Sequence, residues 1–163
     1  MASGLPTFLR VLLGIAQFMA PVGAWLAVTN EVSWTAVALG LAVGTWIGGF
    51  DLIYSCQDAE VDRRIGSRSF PARFGIPAAL QASSFVHVVT LGAFVWFGVA
   101  AGLEWWWWLG VLLTAGVLVY EHRIVRPDDL RRVNRAFFTA NGVIGIGLFV
   151  FALADLIAQG LRW

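Results

Sequence analysis

Five long apolar runs dominate the chain, over residues 8–28, 34–54, 79–100, 105–125 and 136–158. Each is near the ~20 residues that a helix needs to cross ~30 Å of hydrocarbon. Backbone groups in lipid must find their hydrogen bonds internally, so runs of this length predict helices. The short alternating segments of a closed strand barrel are not present in the pattern. The expectation is an all-α polytopic membrane protein, with five transmembrane helices in a single membrane domain over 1–163. Loops at 55–78 and 126–135 connect them. Gln17 and Pro21 interrupt the first run, which is also long, so it reads as a retained helix rather than a cleaved leader.

Composition sharpens this picture. The 163 residues are 59% hydrophobic and only 13% charged, with a mean hydropathy of +0.76. An ordinary water-soluble domain carries about 25% charged residues, and that class is excluded. Cys56 is the single cysteine, so no internal disulfide exists, and one Cys with two His is read as too few to supply a four-ligand zinc site. A net charge of +1 gives no drive toward nucleic acid. All eleven basic residues are arginine, which reads as compositional bias rather than function.

The charges sit in two clusters, at 57–75 and 121–135. With a cytoplasmic N-terminus, Arg10, Arg63, Arg64, Arg68, Arg73, Arg123, Arg126, Arg131, Arg132 and Arg135 fall inside, and Arg162 alone falls outside. That is a positive-inside pattern, and it predicts a multi-pass protein of the inner (cytoplasmic) membrane with its N-terminus in the cytoplasm. Trp25, Trp34, the run at 105–108 and Trp163 fall at expected outer helix ends, where indole rings favour the headgroup zone.

One short stretch carries chemistry. At about 100° per residue, Asp51, Tyr54, Asp58 and Asp62 share about 80° of one helical face. Glu60 and Arg64 lie opposite and are spaced to pair. Three carboxylates and a phenol with no base among them need compensation, because like charges at i,i+4 disfavour a helix. Ionisable groups near apolar helix ends are expensive and usually functional. Oxygen-only ligands suit a hard cation, and one or two carboxylates with phosphate oxygens are a usual Mg²⁺ site. The plainer reading neutralises the stripe with Arg63, Arg64 and water. Arg68 and Arg73 read either as a phosphate clamp or as ordinary positive-inside residues.

The run 48–75 closely resembles the second aspartate-rich motif of the UbiA superfamily of intramembrane aromatic prenyltransferases. The pattern D-x-x-Y-x-x-x-D-x-x-x-D is met by Asp51, Tyr54, Asp58 and Asp62. The trailing S-x-P-A-R-F-G is met by Ser69, Pro71, Ala72, Arg73, Phe74 and Gly75. Stretches 20–29 and 120–142 resemble the preceding helix and the basic loop that opens the last helix. The resemblance implies a nine-helix bundle around a lipid-open cavity. In it, Mg²⁺ and basic side chains draw diphosphate from a polyprenyl diphosphate, and an aromatic acid such as 4-hydroxybenzoate takes the prenyl group. Carried over, Asp58 and Asp62 bind Mg²⁺, Asp51 and Tyr54 complete the polar wall of the catalytic site, and Arg73 and Arg68 contact phosphate; Asn141 joins them as a substrate-binding candidate from its place in the last helix.

The family's first motif, of the N-D-x-x-D type, does not occur in the sequence. The expectation is therefore the last five of nine helices, with half of a two-metal site and no competence alone. The other class of reading is a non-catalytic membrane fragment, or one subunit of a split enzyme that needs a second chain. Other polar residues stay open. His87 reads as packing or as an interior functional group, Glu121 and His122 as helix-end residues near the site. Asn141 lines a cavity or bridges helices, Cys56 packs, and Asp155 is satisfied by snorkelling or water at the outer end.

Overall fold

The computed structural model describes residues 7–160, with side chains from residue 12 onward. The side chain of Arg10, and Arg162 and Trp163 entirely, lie outside the described residues. Five long helices account for the five apolar runs. They are α1 (Thr7–Thr29), α2 (Trp34–Ser55), α5 (Ile76–Ala100), α6 (Trp105–Ile124) and α7 (Val133–Ala158). Two short helices, α3 (Ala59–Arg64) and α4 (Phe70–Phe74), occupy the stretch between α2 and α5. No strand occurs among the described residues.

Among the described residues, four segments rather than the expected five are long and apolar enough to cross a membrane: Leu12–Thr29, Trp34–Arg64, Ile76–Ala100 and Val133–Ala158. α6 has the length but is less apolar, and its last turn holds His122 and Arg123. Large apolar side chains such as Val88, Leu112, Phe138 and Ile146 face outward, as lipid rather than water would require.

α2 is the central helix, lying against α1, α5 and α7, while α6 packs on α7 and α5. Phe50, Phe94, Trp107, Ile144 and Leu148 form the main core. Small residues bring the helices close, as is common in bilayers. A Cβ at Gly40 would strike the Phe18 carbonyl on α1, and one at Gly49 would strike the His87 ring on α5. Ser83 on α5 also donates to the Gly49 carbonyl at 2.7 Å. Gly49→Ala is therefore expected to destabilise the bundle by about 1–3 kcal/mol through overpacking. Gly48→Ala, with open space at its Cβ, should stay within about 0.5 kcal/mol. Thermal unfolding followed by dye labelling of Cys56, the one thiol and a buried one, would separate the two.

The tryptophan run does not act as one belt. Trp105 and Trp106 are exposed, but Trp107 is buried, seated on Gly98, with its indole N–H donating to the Phe94 carbonyl at 3.3 Å. Asp155 corrects the sequence reading more sharply. It is fully buried and accepts from the backbone N–H groups of Glu104 (2.8 Å), Trp106 (3.0 Å) and Trp107 (3.3 Å), and from Gln159 Nε2 (2.8 Å). Instead of snorkelling, it caps the N-terminus of α6 from another helix.

Candidate functional site

The acidic segment is not one continuous α-helix. α2 ends at Ser55, a 3-10 turn spans Cys56–Asp58, and α3 resumes at Ala59. A 3-10 residue turns about 120° rather than 100°, so three of them rotate α3 by roughly 60° relative to a continuous helix. The four residues of the expected face differ in burial. Tyr54 is exposed, Asp51 and Asp58 are half-buried, and Asp62 is fully buried. Glu60 and Arg64 form the expected pair on the exposed side.

α3 then folds back under α4. Gly66 sits at φ +72° and Gly75 at φ +90°, left-handed conformations that glycine adopts without strain. The first lets Ser67 N–H reach the Asp62 carbonyl at 2.8 Å. The second ends α4 and starts α5 at Ile76, with Pro77 in its first turn. Helix α5 therefore begins three residues before the apolar run does. Arg63 Nε donates to the Ala72 carbonyl at 3.1 Å, tying the two short helices together.

This fold-back makes a recess of about 520 Å³ lined by Arg63, Arg68 and Arg73 with Gly66, Ser67 and Ala72. Arg73 is exposed and lies 5.0 Å over the Phe74 ring. Within the same fold-back, both carboxylate oxygens of Asp62 and the hydroxyl of Ser69 are buried without hydrogen-bond partners. Orphaned buried carboxylate oxygens are costly and mark a place for a cation. Oxygen donors of this kind suit Mg²⁺, so the residues present fit that ion.

On the membrane side, Tyr54 rests on Phe137 at 5.1 Å between ring centroids, and Phe137 meets Phe50 at 6.1 Å. Phe50 in turn stands edge-on to His87 at 5.0 Å. Gln57 donates to Asn134 Oδ1 at 3.2 Å, linking the 3-10 turn to the start of α7. Asn141, two turns further along α7, is half-buried with its amide oxygen unpartnered.

The basic loop before α7 is held by its own charges. Arg131 pairs with Asp129 at 3.0 Å, and that guanidinium holds the Asp129 carboxyl below the usual range. Helix α7 accordingly begins at Val133, three residues earlier than hydropathy alone placed it.

Among the described residues, the set of three potential ligands whose donor atoms lie within 4.8 Å of one another is His87, Glu121 and His122. It is not the aspartates. The sequence groups Glu121 with His122 at one helix end but gives no reason to join His87 to them. They are 34 and 35 positions from it across two helices, and only the α5–α6 pairing joins them.

A profile of the UbiA prenyltransferase family matches residues 5–143. The chain is 33% identical over 146 residues to a 4-hydroxybenzoate octaprenyltransferase from Pseudomonas fluorescens, a match that covers 90% of this chain and 49% of that protein. A 4-hydroxybenzoate octaprenyltransferase from Hydrogenovibrio crunogenus is 27% identical over 91% of this chain and 51% of its own length. The chain thus spans about half the length of the curated relatives it matches. Among solved structures, the apo structure of a UbiA homologue from Aeropyrum pernix K1 superposes with a TM-score of 0.66 at 30% identity, over 87% of this chain and 53% of that one.

Proposed function

Because the chain belongs to the UbiA prenyltransferase family, we propose that it supplies the second diphosphate-binding segment of an intramembrane enzyme. That enzyme transfers a polyprenyl group from a prenyl diphosphate to an aromatic acid such as 4-hydroxybenzoate. The observation that carries the reading is the orphaned, fully buried Asp62 carboxylate within the fold-back that forms an arginine-lined recess.

Asp58 and Asp62 would hold Mg²⁺, Asp58 being the accessible member. The ion, when bound, neutralises diphosphate charge as the prenyl C1–O bond breaks. The chain's own groups do the rest. Arg68 and Arg73 bind the diphosphate oxygens and stabilise the negative charge that gathers there as the electron pair leaves. Asp51 and Tyr54 form the polar wall of the site. Asn141 offers its unpartnered amide oxygen to substrate. The apolar helices exclude water, so the allylic cation meets the electron-rich ring carbon of the acceptor. A new C–C bond forms there and the ring proton is lost.

Arg73→Gln should weaken binding of a short prenyl diphosphate by roughly ten- to a hundredfold, the loss of one charge-assisted contact. Isothermal titration of the detergent-solubilised protein in Mg²⁺ measures it.

The arginine distribution and the bacterial relatives support an inner-membrane location with a cytoplasmic N-terminus. The overall test is transfer of an isotopically labelled prenyl group to 4-hydroxybenzoate in membranes. The chain is assayed alone and together with the amino-terminal half of the Pseudomonas fluorescens relative. Transfer only in the second case supports a split site that needs a second chain. No transfer in either would overturn the catalytic reading and leave a non-catalytic membrane partner.

A further inference from the structure

We propose that His87, Glu121 and His122 form a binding site for a divalent first-row transition ion of the zinc type, separate in chemistry from the aspartate stripe. His87 Nδ1 lies 2.9 Å from His122 Nε2 and 4.0 Å from Glu121 Oε2. A tetrahedral ion with bonds of 2.0–2.1 Å sets its ligands about 3.3 Å apart, and the two separations bracket that spacing. Small side-chain shifts bring all three atoms onto one ion.

Burial gives a second, independent reason. Glu121 is fully buried in α6, and neither carboxylate oxygen has a hydrogen-bond partner. A carboxylate in that position wants a cation, and among the described residues the basic group beside it is the His87 ring. Two imidazole nitrogens and one carboxylate oxygen favour zinc over Mg²⁺, which prefers oxygen alone. This is the ligand set that a count of Cys and His misses, because the third ligand is a glutamate. Three protein ligands leave one position for water or an anionic oxygen, as in catalytic rather than structural zinc sites.

The surroundings suit the role. Ser84 Oγ lies 3.2 Å from His122 Nδ1, an outer partner that fixes the ring so that Nε2 faces the site. His87 is wedged between Gly49 and the edge of Phe50. Access comes from a cleft of about 330 Å³ between α5 and α6, lined by Ser84 and His122 together with Gln81 and Arg123. Loading requires the bridging proton to leave the facing nitrogens, so that each neutral ring carries its proton on the nitrogen away from the ion, His122 on Nδ1 beside Ser84 and His87 on Nε2, and both facing nitrogens become ligands.

The test uses the full chain in detergent, stripped with chelator and titrated with Zn²⁺ and then Co²⁺. About one ion should bind per chain, and Co²⁺ should give the visible absorption of a four-coordinate site. Glu121→Gln, close in shape to the native residue, and His122→Ala should each weaken Zn²⁺ roughly a hundredfold or more. Asp58→Asn with Asp62→Asn should leave it unchanged. The wild-type titration stands even if a variant fails to fold. A wild-type chain that binds no ion and gives no Co²⁺ band overturns the proposal, as does full Zn²⁺ affinity in Glu121→Gln; a hydrogen-bonded His87–His122 pair beside a buried carboxyl group would then remain.

Discussion

Asp62→Asn should bind a prenyl diphosphate in Mg²⁺ at least about a hundredfold more weakly than the wild type, yet be more stable when empty. The two halves come from one fact. Asp62 is fully buried with both oxygens unpartnered, so its charge costs stability in the empty protein and is useful only when a cation is present. The amide has the same shape and removes the charge. The gain is the difference between an unpartnered buried carboxylate and an equally unpartnered neutral amide, about 1 kcal/mol, and loss of a metal ligand costs more than that in binding. Titration calorimetry reads the first effect, and thermal labelling of Cys56 in ligand-free protein reads the second. A purely structural Asp62 would behave oppositely, with stability falling and affinity for diphosphate unmoved. That pairing of results would remove the basis for the metal assignment.

The second large effect is expected far from the chemistry. Asp155→Ala should destabilise the bundle by roughly 2–4 kcal/mol, because three backbone N–H groups at the start of α6 and one side-chain amide lose a charged acceptor together. Asp155→Asn retains one acceptor oxygen and should lose less than half as much. The same thiol-labelling melt measures both. Equal loss in the two variants would mean that packing volume, not the cap, is what Asp155 contributes.

The sequence carried the long helices because lipid-exposed helices are apolar on nearly every face, and length alone then marks them. It also carried the Glu60–Arg64 pair, which depends on one turn of local helix. What it could not carry depends on helices meeting. The stripe of Asp51, Tyr54, Asp58 and Asp62 assumes one uniform twist. The 3-10 turn at Cys56–Asp58 changes that twist between Tyr54, which is exposed, and Asp62, which is buried. Hydropathy has no signal for such a turn. His87, Glu121 and His122 are joined by the pairing of α5 with α6, and Asp155 reaches α6 from α7. A charge deep in an apolar run marks such residues as unusual, but only coordinates name the partner.

The cap that Asp155 gives to α6 bears on how the protein is made. α6 is the long helix that falls short of the apolarity needed to cross a membrane by itself, and the acceptor for its first N–H groups arrives only with the last turns of α7. During synthesis, then, these two helices are expected to enter the bilayer as a hairpin rather than in succession. Chains halted before residue 155 should leave α6 poorly inserted in a translocation reporter, and chains halted after residue 160 should not.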